Sequence, residues 1–112
     1  MISRIWHGYT TSANADAYEN LLRHEIFDWI AGKQIPGYWG IQLNRRELKD
    51  EVEFVTIMWF DSLDAVRAFA GEDNETAVVL PQAQKILAHY DLRSQHYEVV
   101  VDRTPFSQRA RE

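Results

Sequence analysis

The sequence predicts an α+β domain: a ferredoxin-like βαββαβ antiparallel sheet with both long helices on one face. Three observations carry this. Apolar β-rich segments alternate with helical ones in the order strand, helix, strand, strand, helix, strand. Two strand-helix-strand units with right-handed crossovers put the first and third strands in the middle. The stretch Val52 to Phe60 is also apolar on both faces, with Phe54, Met58 and Phe60 (with Thr56) on one side and Val55, Ile57 and Trp59 on the other. A strand of that kind is covered on both sides.

The elements follow in order. Ile2 to Thr10 is a strand with Ser3, Ile5, His7 and Tyr9 on one face and Arg4, Trp6 and Gly8 on the other. Gly8 leaves a gap in its row, the mark of a bulge or a close approach by another group. Asn14 to about Ala31 is a helix whose apolar stripe is Tyr18, Leu21, Leu22, Ile26, Trp29 and Ile30, with Gly32 ending it. Glu25 falls inside that stripe. Tyr38 to Arg46 is the second strand, with Trp39, Ile41 and Leu43 on one face, and Arg45 to Glu51 is a charged hairpin. Asp61 or Ser62 caps a short helix carrying Leu63, Val66 and Phe69, which stops at Gly71. Pro81 opens another short helix through about His89. Asp91 to Val101 is the last strand. Residues 1–101 make a single domain and 102–112 a polar C-terminal tail.

Composition narrows the function classes. The 112 residues carry 46% hydrophobic and 26% charged side chains, with a net charge of −5. That balance offers no basic stripe for nucleic acid. Without cysteine there are no disulfides, thiolate metal sites or cysteine nucleophiles. No His-x-His or His-Glu-x-x-His spacing occurs, so no metal site is expected. No apolar run has membrane-spanning length, and the N-terminus lacks a signal-peptide core, so a cytoplasmic protein is expected.

The predicted helices cover one sheet face. Leaving Val55, Ile57 and Trp59 in water on the other would forfeit roughly 1.5–3 kcal/mol each. That is comparable to a domain's whole stability of about 5–15 kcal/mol. A homodimer through the helix-free sheet face removes the problem.

Ile5-Trp-His-Gly8, the segment Phe60-Asp-Ser-Leu-Asp-Ala-Val-Arg-Ala-Phe-Ala-Gly71 and His96-Tyr97-Glu98-Val99 resemble the antibiotic biosynthesis monooxygenase family. The resemblance covers roughly Ile2 to Val101. It implies a dimeric α+β barrel, and a cofactor-independent monooxygenase-like activity on a small aromatic or quinol-type molecule. The superfamily also holds haem-degrading enzymes, isomerases and proteins without known activity. The haem-degrading branch uses an asparagine on the first strand, a tryptophan on the second helix and an axial histidine after it. This chain has Trp6-His7 and Phe69 at the first two places and no histidine from Gly71 to Leu80.

In the implied chemistry the protein deprotonates its substrate and holds the anion against oxygen. His7, His96 and Glu25 are the candidate proton-handling residues. Pairing Ile2 near Val101 would set His7 opposite His96, two imidazoles able to move a proton near neutral pH. The alternative is two structural histidines bonded to backbone or to Tyr97. Glu25, on the apolar stripe, would face the space between helix and sheet as a general base, pair with Arg4, or swing out beside the stripe. Trp6, Trp29, Phe69 and Tyr97 are the candidate substrate-binding residues; the alternative for each is core packing. The competing function is a non-catalytic small-molecule binding or structural module.

Overall fold

The computed structural model describes residues 1–105. β1 (Ile2–Thr11), β2 (Tyr38–Glu47) and β3 (Glu51–Phe60) are long strands. β3 lies between β2 and β1, and all pairings are antiparallel. The far edge of β1 is shared by two short strands, β4 (His89–Tyr90) and β5 (Gln95–Glu98). The topology is the ferredoxin-like one, with β1 and β3 central.

Burial alternates along the central strands. Val52, Phe54, Met58 and Phe60 of β3 are buried with Thr56, as are Arg4, Trp6 and Thr10 of β1. The odd-numbered residues Ile5, His7, Val55, Ile57 and Trp59 are half-exposed. One core cluster joins Trp6, Phe54, Tyr18, Leu22 and Leu87; a second joins Ile30, Met58, Phe60 and Val66. Among the described residues no helix is long and apolar enough to cross a membrane.

Gly8 is the close approach that its place in the strand suggests. A Cβ there would stand 2.5 Å from the Trp6 ring. The bare glycine lets that indole lie along β1, where its Nε1–H donates to the Asp91 carbonyl at 2.7 Å.

The first helical region differs from a plain α-helix. α1 (Ala15–Leu21) and α2 (Phe27–Gly32) are joined by a π-helical turn over Leu22–Ile26, in which the Phe27 amide reaches back to the Leu22 carbonyl. The inward positions Tyr18, Leu22, Ile26 and Ile30 step by four residues. A pure α-helix would rotate each step off line by about 40°. The wide turn absorbs that drift, and Glu25 and Trp29 fall outside the stripe. Both are exposed, which corrects the placement of Glu25 between helix and sheet.

α3 (Leu63–Ala70) begins at Ser62, whose side chain accepts from the Ala65 amide at 3.3 Å, and ends at Gly71 with φ +95°. α4 covers only Pro81–Gln84, so His89 lies in β4 rather than on a helix.

The last strand is not continuous over Asp91–Val101. Residues 92–94 leave the β1 edge and pair with the connection before α4: Ala77 N–H donates to the Leu92 carbonyl at 3.0 Å and Ser94 N–H to the Glu75 carbonyl at 2.7 Å. Two extra residues therefore separate the Gly8–Tyr90 and Ile5–Gln95 pairings. Ile2 then faces Glu98 rather than Val101. This three-residue shift is odd in number, so it also exchanges faces. The C-terminal tail expected over 102–112 falls mostly outside the described residues.

Candidate functional site

A cleft opens between the helices and the covered face of the sheet. Its volume is about 540 Å³, open solvent at the mouth included. Trp6, Thr56 and Met58 form the sheet side; Leu22, Ile26, Phe27 and Ile30 come from the π-turn region and α2. Phe69, Val78–Leu80 and Ala83 close the third side. A π-turn at the wall of a cavity is a common arrangement at functional sites.

One cation stands among these apolar walls. Arg4 is 3% exposed. Its Nη1 donates to the Asn74 carbonyl and to His96 Nε2 (2.8 Å), and its Nη2 donates to the Thr76 carbonyl at 2.8 Å. The guanidinium lies 5.7 Å from the centre of the Phe69 ring. The segment that draws residues 92–94 off the sheet edge thus also supplies the carbonyls that hold Arg4. Burial brings the Arg4 pKa down to about 10, against a smaller opposing effect of Glu75.

His96 sits opposite Arg4 in the β1–β5 ladder and on the same, helix-side face. Since a guanidinium only donates, His96 Nε2 accepts, which requires the neutral tautomer with its hydrogen on Nδ1. Burial, with the Arg4 charge, lowers the His96 pKa and favours that neutral form.

His7 is on the opposite face. The expected His7–His96 pair does not form, because the shifted register gives His96 to Arg4. His7 Nδ1 instead meets Glu53 Oε2 at 3.1 Å, beside the Tyr9 hydroxyl (3.2 Å from the same oxygen) and Arg46. Tyr97 is 55% exposed on that helix-free face too, level with Ser3. Glu25 and Trp29 lie outside the helix, where Lys33 Nζ sits 4.4 Å from the centre of the Trp29 ring. Of the seven residues singled out, the cleft brings together Trp6 and Phe69, with His96 reaching it through Arg4.

No protein-family model and no curated protein matches the sequence. Solved structures do. A Bacillus cereus protein provisionally assigned as an antibiotic biosynthesis monooxygenase superposes with a TM-score of 0.64 at 11% identity, over 93% of this chain and 95% of that one. The monooxygenase from ActVA-Orf6 of Streptomyces coelicolor, solved with nanaomycin D, gives 0.58 at 14% identity, over 93% and 91%. The haem degrader MhuD of Mycobacterium tuberculosis, solved with two haems in its active site, gives 0.59 at 22% identity, over 91% and 98%.

The fold is that of the antibiotic biosynthesis monooxygenases. Within it, the described side chains that line this cleft do not suit a haem: none of them is an imidazole. Burial also pushes the Tyr18 hydroxyl up, away from the phenolate that an iron would require.

Arg4 is the residue that sequence reasoning passed over. Its signal was present: a charge in the row Arg4, Trp6, Gly8, which the helices cover.

Proposed function

We propose that the helix-side cleft binds a small, flat aromatic or quinol-type molecule and that the protein acts on it as a cofactor-independent monooxygenase. The observation that carries this reading is the apolar cleft with a single buried cation, Arg4, at its sheet side. A phenolic or enolic substrate beside that cation ionises more readily, because an opposite charge favours the anionic form. In the balanced reaction a CH₂ group flanked by an aromatic ring loses a proton, and the carbanion gives its electrons to dioxygen. The resulting hydroperoxide then loses water to leave a carbonyl. The substrate is oxidised by four electrons and dioxygen is reduced by four. His96 serves this scheme by holding the Arg4 guanidinium in place for the substrate oxygen, and the proton passes to water at the mouth of the cleft. Trp6 and Phe69 are the flat walls.

The assembly that goes with this reading is a homodimer through the helix-free face. Ile5, Val55, Ile57 and Trp59 are half-exposed there on one protomer, and pairing with a second copy would bury them.

A second reading has its own support. His96 Nε2 is engaged by Arg4, and among the described residues no carboxylate lines the cleft. This suits a binding module without turnover. Oxygen uptake with an anthrone or hydroquinone separates the two. Catalysis predicts consumption that is lost in His96→Ala. A binding module predicts a ligand-dependent rise in melting temperature and no uptake. Neither response from a panel of such molecules would refute the ligand-binding reading.

A further inference from the structure

The geometry points to an organic oxyanion, an aromatic carboxylate or an acidic phenol or enol already ionised in water, as the molecule this cleft selects. The inference rests on the reading that the cleft binds a flat molecule, and it narrows the chemistry of that molecule. Three observations support it.

First, Arg4 is buried without a carboxylate to neutralise it. Among the described residues Arg23, Arg45, Arg46, Arg67 and Arg93 each form an ion pair with a carboxylate, all at exposed or half-exposed positions. Arg4, the most buried of the described arginines, bonds two carbonyls and a neutral imidazole. Glu75 lies within electrostatic range of it but pairs with Arg93 at 3.3 Å. A buried charge is normally paired, and an anionic ligand would complete this one.

Second, the guanidinium is held rigidly yet not saturated. Three of its five N–H groups are engaged. The two remaining are enough for the two-pronged grip arginine gives to planar oxyanions.

Third, the surroundings suit such a ligand and little else that is negative. Thr56 and Ser94 are buried and line the same cleft, offering hydroxyl donors. Tyr18 adds a phenol, and the other described lining residues are apolar, which disfavours a fully hydrated, multiply charged ion such as a phosphate ester. His96 acts here as a positioning residue: by accepting from Nη1 it fixes the plane of the guanidinium.

The test uses the full chain and two probes of equal shape, 2-naphthoate and 2-naphthamide, with affinities from calorimetry. The wild type should bind the carboxylate at least tenfold more tightly, with the preference shrinking as salt is raised from 50 to 500 mM. Arg4→Gln should erase the preference, and Arg4→Lys should keep part of it. Should the glutamine variant not fold, the ¹⁵Nε–¹H resonance of Arg4 in the wild type gives the same reading. It should shift on adding naphthoate and stay in place on adding naphthamide. Equal affinity for the two probes, or a preference that survives Arg4→Gln, overturns the oxyanion inference while leaving the flat-molecule reading intact. Binding of neither probe overturns both.

Discussion

Gly8→Ala tests how the cleft is built. The added methyl would sit 2.5 and 2.9 Å from two carbons of the Trp6 ring and 3.1 Å from Leu87 Cδ2. Carbon atoms are most comfortable at about 3.5–4.0 Å, so the ring must retreat by roughly 1 Å. It has little room: Trp6 is 8% exposed and its Nε1 is tied to the Asp91 carbonyl. Overpacking of this kind costs about 1–3 kcal/mol, and loss of the indole hydrogen bond adds about 1 kcal/mol. At about 4–8 °C per kcal/mol for a domain of this size, the melting temperature should fall by at least roughly 8 °C. The decisive comparison is a double-mutant cycle with Trp6→Phe, whose smaller ring lacks the clashing atoms. In that background the penalty of Gly8→Ala should shrink by 1 kcal/mol or more. A melting temperature within about 2 °C of wild type, or an undiminished penalty beside Phe, would refute the reasoning.

Three further outcomes follow from the geometry. Ile57→Lys places a charge in the middle of the helix-free face; sedimentation should show twice the 13.1 kDa protomer mass for the wild type and the protomer mass for the variant, and a wild type already at the protomer mass would end the dimer proposal. Ser62→Ala removes the α3 cap and should cost about 0.5–2 kcal/mol in urea denaturation. The Glu53 carboxyl is held below its ordinary value chiefly by the hydrogen bond from His7, with help from Tyr9 and Arg46. A carboxyl depressed on folding stabilises the protein above its unfolded value and loses that contribution as pH falls through the folded one. Glu53→Gln should therefore flatten the acid limb below about pH 4.5, by about 0.2–1 kcal/mol since the pair borders solvent; parallel acid limbs for the two proteins would contradict this.

The sheet and its order were readable because the pattern is redundant. Val52 to Phe60 is apolar on both rows, and the polar breaks at Thr10–Asn14 and Arg45–Glu51 delimit its neighbours. Gly8 announced a close approach, and Trp6 supplies it. The site was less readable, for two physical reasons. A helical wheel assumes a constant 3.6-residue turn, and the π-turn breaks that assumption at Glu25 and Trp29. Pairing the first and last strands assumed one uninterrupted ladder, but Glu75 to Ala77 competes for residues 92–94 through backbone hydrogen bonds that carry no side-chain signature. That competition moved His96 to Arg4 and left His7 to Glu53. Arg4 itself was visible in principle, since a charge within a row of buried side chains is either paired or waiting for a partner.

The widened turn between α1 and α2 has a genetic corollary. A π-turn holds one residue more than the α-helix around it, so removing His24 or Glu25 would restore an ordinary helix and leave Tyr18, Leu22, Ile26 and Ile30 on their present face. The same loss within α2, at Asp28, would turn Ile30 out of the chamber by about 100°. Where a residue is lost along the helix therefore decides whether a single-codon deletion is silent or reshapes the chamber.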